Sequence, residues 1–216
     1  MLIYDRNDIR VYSTPIKRAA TDSGRGPVRS VAEQAAEKRL LREAFPDGTV
    51  PYIRHHASGA PYLSDSPENI DGSARHEKPE DTENTCFPAI SISHSRGIAL
   101  LALAPHGTRL GIDTETADRS EQLTRLAPRF LAESQMGYWS SEAATLFWAW
   151  TIKEAAYKAA GLEILPMRDI PLPLEVPLGD PTPDCRITIG GRDYNVMQID
   201  HPDATSVVML VWSLPA

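Results

Sequence analysis

Cysteine is scarce in this sequence, and long apolar runs are absent. The 216 residues include two cysteines, Cys86 and Cys185, which are too few for a disulfide framework and form no Cys/His cluster of zinc-ligand spacing. No segment has the roughly 18 consecutive apolar residues of a membrane-spanning helix. The opening stretch, MLIYDRNDIRVY, carries charges where a secretory signal needs an apolar core. We therefore expect a cytoplasmic protein that does not bind membranes.

An excess of positive charge is also missing. The net charge is -7 and the pI is about 5.4, which argues against broad nucleic-acid binding because such binding needs a basic surface. The net charge does not exclude a local basic cleft, since it does not describe how charge is distributed. The sequence also lacks the glycine motifs of Walker and Rossmann nucleotide sites and the GxSxG elbow of serine hydrolases.

The apolar patterning that is present predicts an α+β fold. Strands are expected in 2–13, 50–67, 89–104, 111–115, 186–199 and 205–214. Helices are expected over 29–45, 121–138 and 140–161. For the last helix, Ser140 and Ser141 are the candidate N-caps and Gly161 is the candidate residue after its end.

The order of these elements predicts two lobes of similar size that meet near residue 110. We assign residues 1–108 to an N-terminal lobe and 109–216 to a C-terminal lobe. Residues 64–85 contain almost no apolar side chain and many acidic ones, so they cannot contribute to a core. This segment is interpreted as a long, mobile surface loop.

Two carboxylates one residue apart stand out in the stretch RLGIDTETADR. If this is a strand, Asp113 and Glu115 point to the same face and Thr114 to the opposite one. Adjacent carboxylates repel each other unless a cation lies between them, and Mg²⁺ prefers hard oxygen ligands of this kind. The alternative interpretation is a solvated strand end with no bound ion.

The following helix contains charges directly after an apolar run. The segment ATLFWAWTI is apolar around its whole circumference, which is typical of a buried helix. Trp150, Glu154 and Lys158 then share one face, and Lys153 lies about 100° away. A third carboxylate facing a cleft, flanked by ammonium groups, accounts for these charges because buried charges need partners. The alternative is an exposed Glu–Lys pair that stabilises the helix.

A histidine between two serines offers a further candidate site. Ser93, His94 and Ser95 place hydroxyl, imidazole and backbone donors in a short stretch, which could bind a phosphate. The alternative is a structural, hydrogen-bonded histidine. The pair His55–His56 lacks metal-ligand spacing and is interpreted as surface.

Three of these stretches together resemble the signature set of 4′-phosphopantetheinyl transferases. They are ISISHS at 90–95, GIDTE at 111–115 and WTIKEAAYKAAG at 150–161. The position of the aspartate motif in mid-chain resembles the long, surfactin-synthetase-activating type. In that type, two pseudo-symmetric α/β lobes bind coenzyme A in the cleft between them.

The resemblance implies transfer of 4′-phosphopantetheine from coenzyme A to a serine of an apo acyl or peptidyl carrier protein, with release of 3′,5′-ADP. It implies that Mg²⁺, or Mn²⁺ in its place, is held by Asp113, Glu115 and Glu154. Glu154 would be the base and Lys158 would balance charge on the pyrophosphate, with Lys153 in support. The implied coenzyme A contacts are Arg42, Ser93, His94, Lys153 and Lys158. A single chain that completes its own cleft is expected to act as a monomer.

Some positions depart from the family pattern. In GAPYL, Ala60 stands where a phosphate-contacting lysine is usual, and Thr114 replaces a commoner aliphatic residue. The acidic loop 64–85 resembles an insertion that could repel some carriers or gate entry to the cleft. The alternative function is therefore an inactive relative that binds coenzyme A or a carrier as a regulatory protein.

Overall fold

The computed structural model describes residues 1–17, 30–66, 87–95, 97–116, 119–161, 165–178, 182–203 and 205–213. In these residues the strands are β1 (Leu2–Arg6), β2 (Ile9–Pro15), β3 (Tyr52–His55), β4 (Pro61–Ser64), β5 (Ala89–Ser95), β6 (Ile98–Ala104), β7 (Leu110–Thr116), β8 (Arg186–Ile189), β9 (Arg192–Ile199) and β10 (Ser206–Ser213). The helices are α1 (Val31–Ala44), α2 (Ser120–Phe130), α3 (Glu133–Trp139) and α4 (Ala143–Ala160). The predicted loop 64–85 lies outside the described residues, apart from 64–66.

The fold is a mixed α+β fold with three antiparallel sheets, as the patterning predicts. The first sheet has the strand order β1-β2-β6-β5, and the second has the order β7-β10-β9-β8. The hairpin β3-β4 forms the third sheet, with β4 lying against β5. None of the helices in the described residues is both long enough and apolar enough to cross a membrane.

The two larger sheets pack face to face, and each carries helices on its outer face. Apolar side chains of both sheets, such as Val11, Leu100 and Leu210, fill the layer between them. Helix α1 covers the first sheet, and α2 and α4 cover the second, each over its own apolar cluster. Burial of the apolar surface on these faces is the main favourable contribution to the stability of such layers.

The edge strands β5 and β7 belong to different sheets and lie side by side. The backbone N–H of Ile112 on β7 donates to Ser91 Oγ on β5 at 3.0 Å. This contact connects the first sheet to the second at the strand that carries the carboxylate pair. The two sequence motifs ISISHS and GIDTE are therefore neighbours in space.

The helix ends have the expected capping residues, except at the start of α4. Helix α1 begins with a capping box, in which Ser30 Oγ accepts from the N–H of Glu33 at 3.2 Å and the Glu33 carboxylate accepts from the N–H of Ser30 at 3.0 Å. Gly161 ends α4 with a φ of 95°, a conformation that glycine adopts without strain. Ser140 and Ser141 do not cap α4.

The cap of α4 is displaced because α3 ends immediately before it. Glu142 is the N-cap residue, and its N–H donates to Thr145 Oγ1 at 3.3 Å. The hydroxyls of Ser140 and Ser141 instead donate to carbonyl oxygens of the preceding helix, those of Met136 and Tyr138. Carbonyls at the end of a helix need donors, and these serines supply them to α3.

Candidate functional site

The candidate site begins where β7 meets α4. Gly111 faces the helix so closely that a Cβ atom there would lie 1.9 Å from the carbonyl oxygen of Ala155. Because side chains alternate along a strand, Asp113 and Glu115 lie on this same face of β7. The absence of a side chain at Gly111 thus allows the backbone of α4 to approach the carboxylate pair.

Asp113 is held by groups from two other elements. Its Oδ1 accepts from Ser93 Oγ at 2.9 Å and from Lys158 Nζ at 2.7 Å. Lys158 Nζ also donates to the carbonyl oxygen of Ile112 at 2.9 Å. With Asp113 only 8% exposed, these contacts rule out the solvated strand end. The partner of Lys158 is this aspartate, so Lys158 is also not half of a simple Glu154–Lys158 surface pair.

Glu115 is buried deeper and has a different cation beside it. Its carboxylate forms an ion pair with Arg119 and accepts from the N–H of Thr116 at 3.1 Å and from Ser95 Oγ at 3.5 Å. Burial raises the pKa of Glu115 above its ordinary value, while the hydrogen bond from Thr116 and the guanidinium of Arg119 oppose the shift.

Glu154 completes a group of three carboxylates and is the least compensated of them. Burial raises the pKa of Glu154 to about 7, and the charge of Asp113 adds to the increase, while Lys158 and Arg119 oppose it. Within the described part of the chain its carboxylate has no hydrogen-bond donor and no ion-pair partner. A buried carboxylate without a partner is costly when ionised, so this position favours a proton or a cation.

The three carboxylates are candidate ligands of a divalent metal ion. No three His, Cys, Asp or Glu side chains of the described residues stand close enough to hold one ion as they are. Lys158 and Arg119 supply positive charge at Asp113 and Glu115 instead. The oxygen-only donor set still fits a hard cation such as Mg²⁺. The uncompensated charge of Glu154 gives an electrostatic reason for binding one.

A cleft of about 600 Å³ opens beside this group. Its walls come from the hairpin β3-β4, strand β5, the turn between β6 and β7 and the end of α4. The basic and imidazole side chains that line it are Arg54, His56, His94, His106, Arg109 and Lys158. No carboxylate of the described residues is among its lining groups. A cleft of one charge sign attracts ligands of the opposite sign, so this one suits an anion.

His94 lies in the cleft wall and touches α1 on its other side. Its Nε2 is 3.3 Å from Glu37 Oε1, within ion-pair distance. The two atoms are not aligned as a hydrogen bond, and Nε2 has no hydrogen-bond partner in the described residues. The imidazole is therefore positioned beside the cleft with donor capacity that a ligand could use.

Two predicted coenzyme A contacts lie elsewhere. Lys153 is completely buried, and its Nζ donates to the backbone oxygens of Met167, Arg168 and Ile170. Burial lowers the pKa of Lys153 to about 8. Arg42 is exposed and lines a second cavity between α1 and β3, which is distinct from the cleft. The structure thus brings together Ser93, His94, Lys158 and the carboxylates, without Lys153 or Arg42.

Sequence reasoning missed part of this site. Ser91, Ser93 and Ser95 alternate along β5, and all three contact β7 through their hydroxyls. The serines of ISISHS recur at every second residue, a pattern that places all three on one face of a strand. His56, interpreted as surface, is exposed but also lines the cleft. The resemblance of GAPYL to a phosphate-contacting stretch was the signal that the hairpin would form one of the cleft walls.

The comparison with known families agrees with this location. Residues 109–195 match the model of the 4′-phosphopantetheinyl transferase superfamily. The matched segment includes Asp113, Glu115, Glu154 and Lys158, and excludes the serine–histidine stretch of β5. No curated protein matches the chain. Over residues 109–195, the chain is therefore similar to the 4′-phosphopantetheinyl transferase superfamily.

Proposed function

We propose that this protein transfers the 4′-phosphopantetheinyl group of coenzyme A to a serine hydroxyl of an apo acyl or peptidyl carrier protein. One observation carries the proposal: Asp113, Lys158 and the uncompensated Glu154 lie together beside a cleft lined by cations. The superfamily match over residues 109–195 supports the same reaction. Coenzyme A bears a pyrophosphate and a 3′-phosphate, so it is the kind of anion that this cleft suits.

The transfer needs one bond to form and one to break. The serine oxygen of the carrier bonds to the phosphorus that bears pantetheine, and the bond from this phosphorus to the bridging oxygen of the pyrophosphate breaks. The electron pair leaves with 3′,5′-ADP, and the serine proton passes to the carboxylate of Glu154. Lys158 stabilises the charge that develops on the phosphate oxygens. Positioning and charge neutralisation are therefore the main tasks of the protein.

A divalent cation fits this scheme, and Asp113, Glu115 and Glu154 are the residues that would hold it. When bound, Mg²⁺ or Mn²⁺ would neutralise charge on the pyrophosphate and polarise its phosphorus–oxygen bonds. Ser93 and Ser95 orient the two strand carboxylates through hydrogen bonds, as supporting groups commonly do at metal sites.

The wider arrangement is also part of the proposal. We infer that residues 1–108 and 109–216 act as two lobes, each with a four-stranded sheet and at least one packed helix, and that the cleft between them binds coenzyme A. The hairpin and β5 supply one wall, and the start of β7 and the end of α4 supply the other. Since one chain lines both walls, a monomer can carry the complete site.

The direct test is a mass measurement on the carrier. The protein is incubated with coenzyme A, Mg²⁺ and a panel of apo acyl and peptidyl carriers, and each carrier is then weighed. A gain of the phosphopantetheine mass that disappears when the acceptor serine is replaced by alanine is the expected result. Binding of coenzyme A without a mass gain on any carrier would instead favour the inactive, regulatory relative.

A further inference from the structure

Two of the three carboxylates at the candidate site already have a cation from the protein. Lys158 pairs with Asp113, and Arg119 pairs with Glu115. Both positive charges also act on the third carboxylate, Glu154, whose raised pKa they oppose. When all three carboxylates are ionised, the group carries three negative and two positive charges, a net charge of -1. A divalent cation would reverse that sign, so the group by itself attracts one only weakly.

Arg119 is the more displaceable of the two protein cations. Lys158 Nζ donates to the backbone carbonyl oxygen of Ile112 as well as to its carboxylate. The side chain of Arg119 is 28% exposed, and its Nε donates at 3.1 Å to the side chain of Gln122, an exposed residue. A cation that competes for Glu115 can therefore move Arg119 more easily than Lys158.

The position of Arg119 is explained by Glu115 and not by its own helix. Arg119 is the N-cap residue of α2, and its side chain makes no capping hydrogen bond. A positive charge at the start of a helix is unfavourable because the backbone N–H groups there already carry partial positive charge. Glu115, in contrast, is 3% exposed. Its hydrogen bonds from the N–H of Thr116 and from Ser95 Oγ leave its charge without a counter-ion, which Arg119 supplies.

We propose that Arg119 is an internal counter-ion of Glu115 in the cation-free protein, so that the site takes up Mg²⁺ or Mn²⁺ together with the pyrophosphate of its substrate and only weakly alone. This assignment rests on the proposed function and adds a residue that controls cation uptake at the same site. The pyrophosphate brings the negative charge that a divalent cation needs beside Lys158 and Arg119. By linkage, each of the two ligands then tightens the binding of the other.

Calorimetric titration of chelator-treated protein with Mg²⁺ alone tests the competition, at about pH 8, above the raised pKa of Glu154. Arg119→Gln removes the competing cation and should bind Mg²⁺ about 10- to 100-fold more tightly than the wild type, the effect of one lost charge-assisted contact. Arg119→Lys keeps the positive charge and should fall closer to the wild type than to Arg119→Gln. Arg125→Gln removes an exposed arginine of the same helix and is the matched control, which should bind Mg²⁺ like the wild type.

A second titration measures the coupling between the two ligands. Mg²⁺ is titrated with saturating coenzyme A present, and the cation that coenzyme A binds in solution is subtracted. The wild type should bind Mg²⁺ at least about 10-fold more tightly with coenzyme A than without it, and this gain should shrink in Arg119→Gln. Melting temperatures give an independent readout. Because Glu115 loses its counter-ion, cation-free Arg119→Gln should melt below the wild type, and Mg²⁺ should raise its melting temperature by more.

The outcomes separate this assignment from the proposed function. Equal affinity of the wild type and Arg119→Gln for Mg²⁺ alone, or a coupling that Arg119→Gln leaves unchanged, overturns the role of Arg119 alone. The same holds if Arg119→Lys or Arg125→Gln gains as much affinity as Arg119→Gln. Wild-type binding of Mg²⁺ that is as tight without coenzyme A as with it also overturns this role, even if Arg119→Gln does not fold. A wild-type protein that binds neither Mg²⁺ nor coenzyme A overturns the proposed function and this assignment together.

Discussion

Helix α4 carries two lysines, five residues apart, whose surroundings are opposite. Lys153 is fully buried and donates to three backbone carbonyls of the following segment. The side chain of Lys158 is 26% exposed, lines the cleft and pairs with Asp113. The backbone carbonyl groups thus satisfy all three N–H donors of the Lys153 ammonium group. On the other face Glu154 is left without a partner in the described residues.

This contrast separates stability from function within a single helix. A charged group whose hydrogen bonds are all made within the protein stabilises the fold and has no donor left for a ligand. An unsaturated carboxylate lowers the stability of the empty protein and is available to a proton or a cation, a combination often found at active sites. Substitutions on the two faces should therefore have different consequences.

The largest effect is expected from Glu154→Gln. The amide cannot accept the serine proton, so the turnover number should fall about 10²- to 10⁴-fold, while coenzyme A binding is retained in part. The readout is carrier mass gain against time. Glu121→Gln, on the exposed start of α2, is the control. Full activity of Glu154→Gln would show that another group is the base.

Gly111→Ala would disrupt the close contact between β7 and α4 that positions Lys158 and Glu154. The new Cβ would lie 1.9 Å from the carbonyl oxygen of Ala155, so β7 and α4 must move apart. We expect a loss of about 3 kcal/mol or more in the free energy of unfolding. Surviving folded protein should also be less active, because Lys158 leaves Asp113. Gly137→Ala, where a Cβ meets nothing within 4 Å, is the control. A melting curve like that of the wild type would contradict the proposed close approach.

The pH dependence of stability, measured on cation-free protein, tests how much the ionised Glu154 carboxylate destabilises the fold. Its pKa is raised to about 7 in the folded protein, so the proton bound there stabilises the fold fully below pH 4.5 and this stabilisation is lost as the pH rises through 7. Relative to Glu154→Gln, the wild type should lose up to about 3 kcal/mol between pH 4.5 and pH 8. Urea unfolding with a chelator present measures this difference. A constant difference across that range would exclude the raised pKa.

Lys153→Met tests whether the buried Lys153 contributes to stability and not to ligand binding. Methionine fills a similar volume but leaves three backbone carbonyls without their donor, so we expect a loss of about 2 kcal/mol in stability. Coenzyme A affinity per folded molecule should stay unchanged, because Lys153 does not reach the cleft. If Lys153→Met instead weakens coenzyme A binding at full stability, Lys153 contributes to substrate binding, as the family resemblance implies.

Thr114→Val should have the smallest effect. Thr114 Oγ1 is buried and has no hydrogen-bond partner in the described residues, so replacing the hydroxyl by a methyl removes an unsatisfied polar group. We expect the free energy of unfolding to rise by about 1 kcal/mol with activity unchanged. Chemical denaturation would show this, and a destabilised variant would indicate that the hydroxyl is satisfied after all.

Much of the fold followed from local patterns in the sequence. Apolar alternation and strong helix formers predicted nearly every strand and helix because these patterns reflect which faces are buried. The cap of α4 was misplaced since Ser140 and Ser141 are equally able to close the preceding helix, and sequence spacing does not decide between the two. The relation of Asp113 to Glu115 followed from strand geometry alone.

The sequence by itself determined that two carboxylates share one face of a strand and that an apolar helix ends in charged residues. Tertiary structure decided which charged residues meet. The rotation of α4 against β7, set by the contact at Gly111, turns Lys158 toward Asp113 and Lys153 away from it. The placement of Arg54 in the cleft depends on a hairpin far away in sequence. Such contacts arise from packing between distant segments, which no local period records.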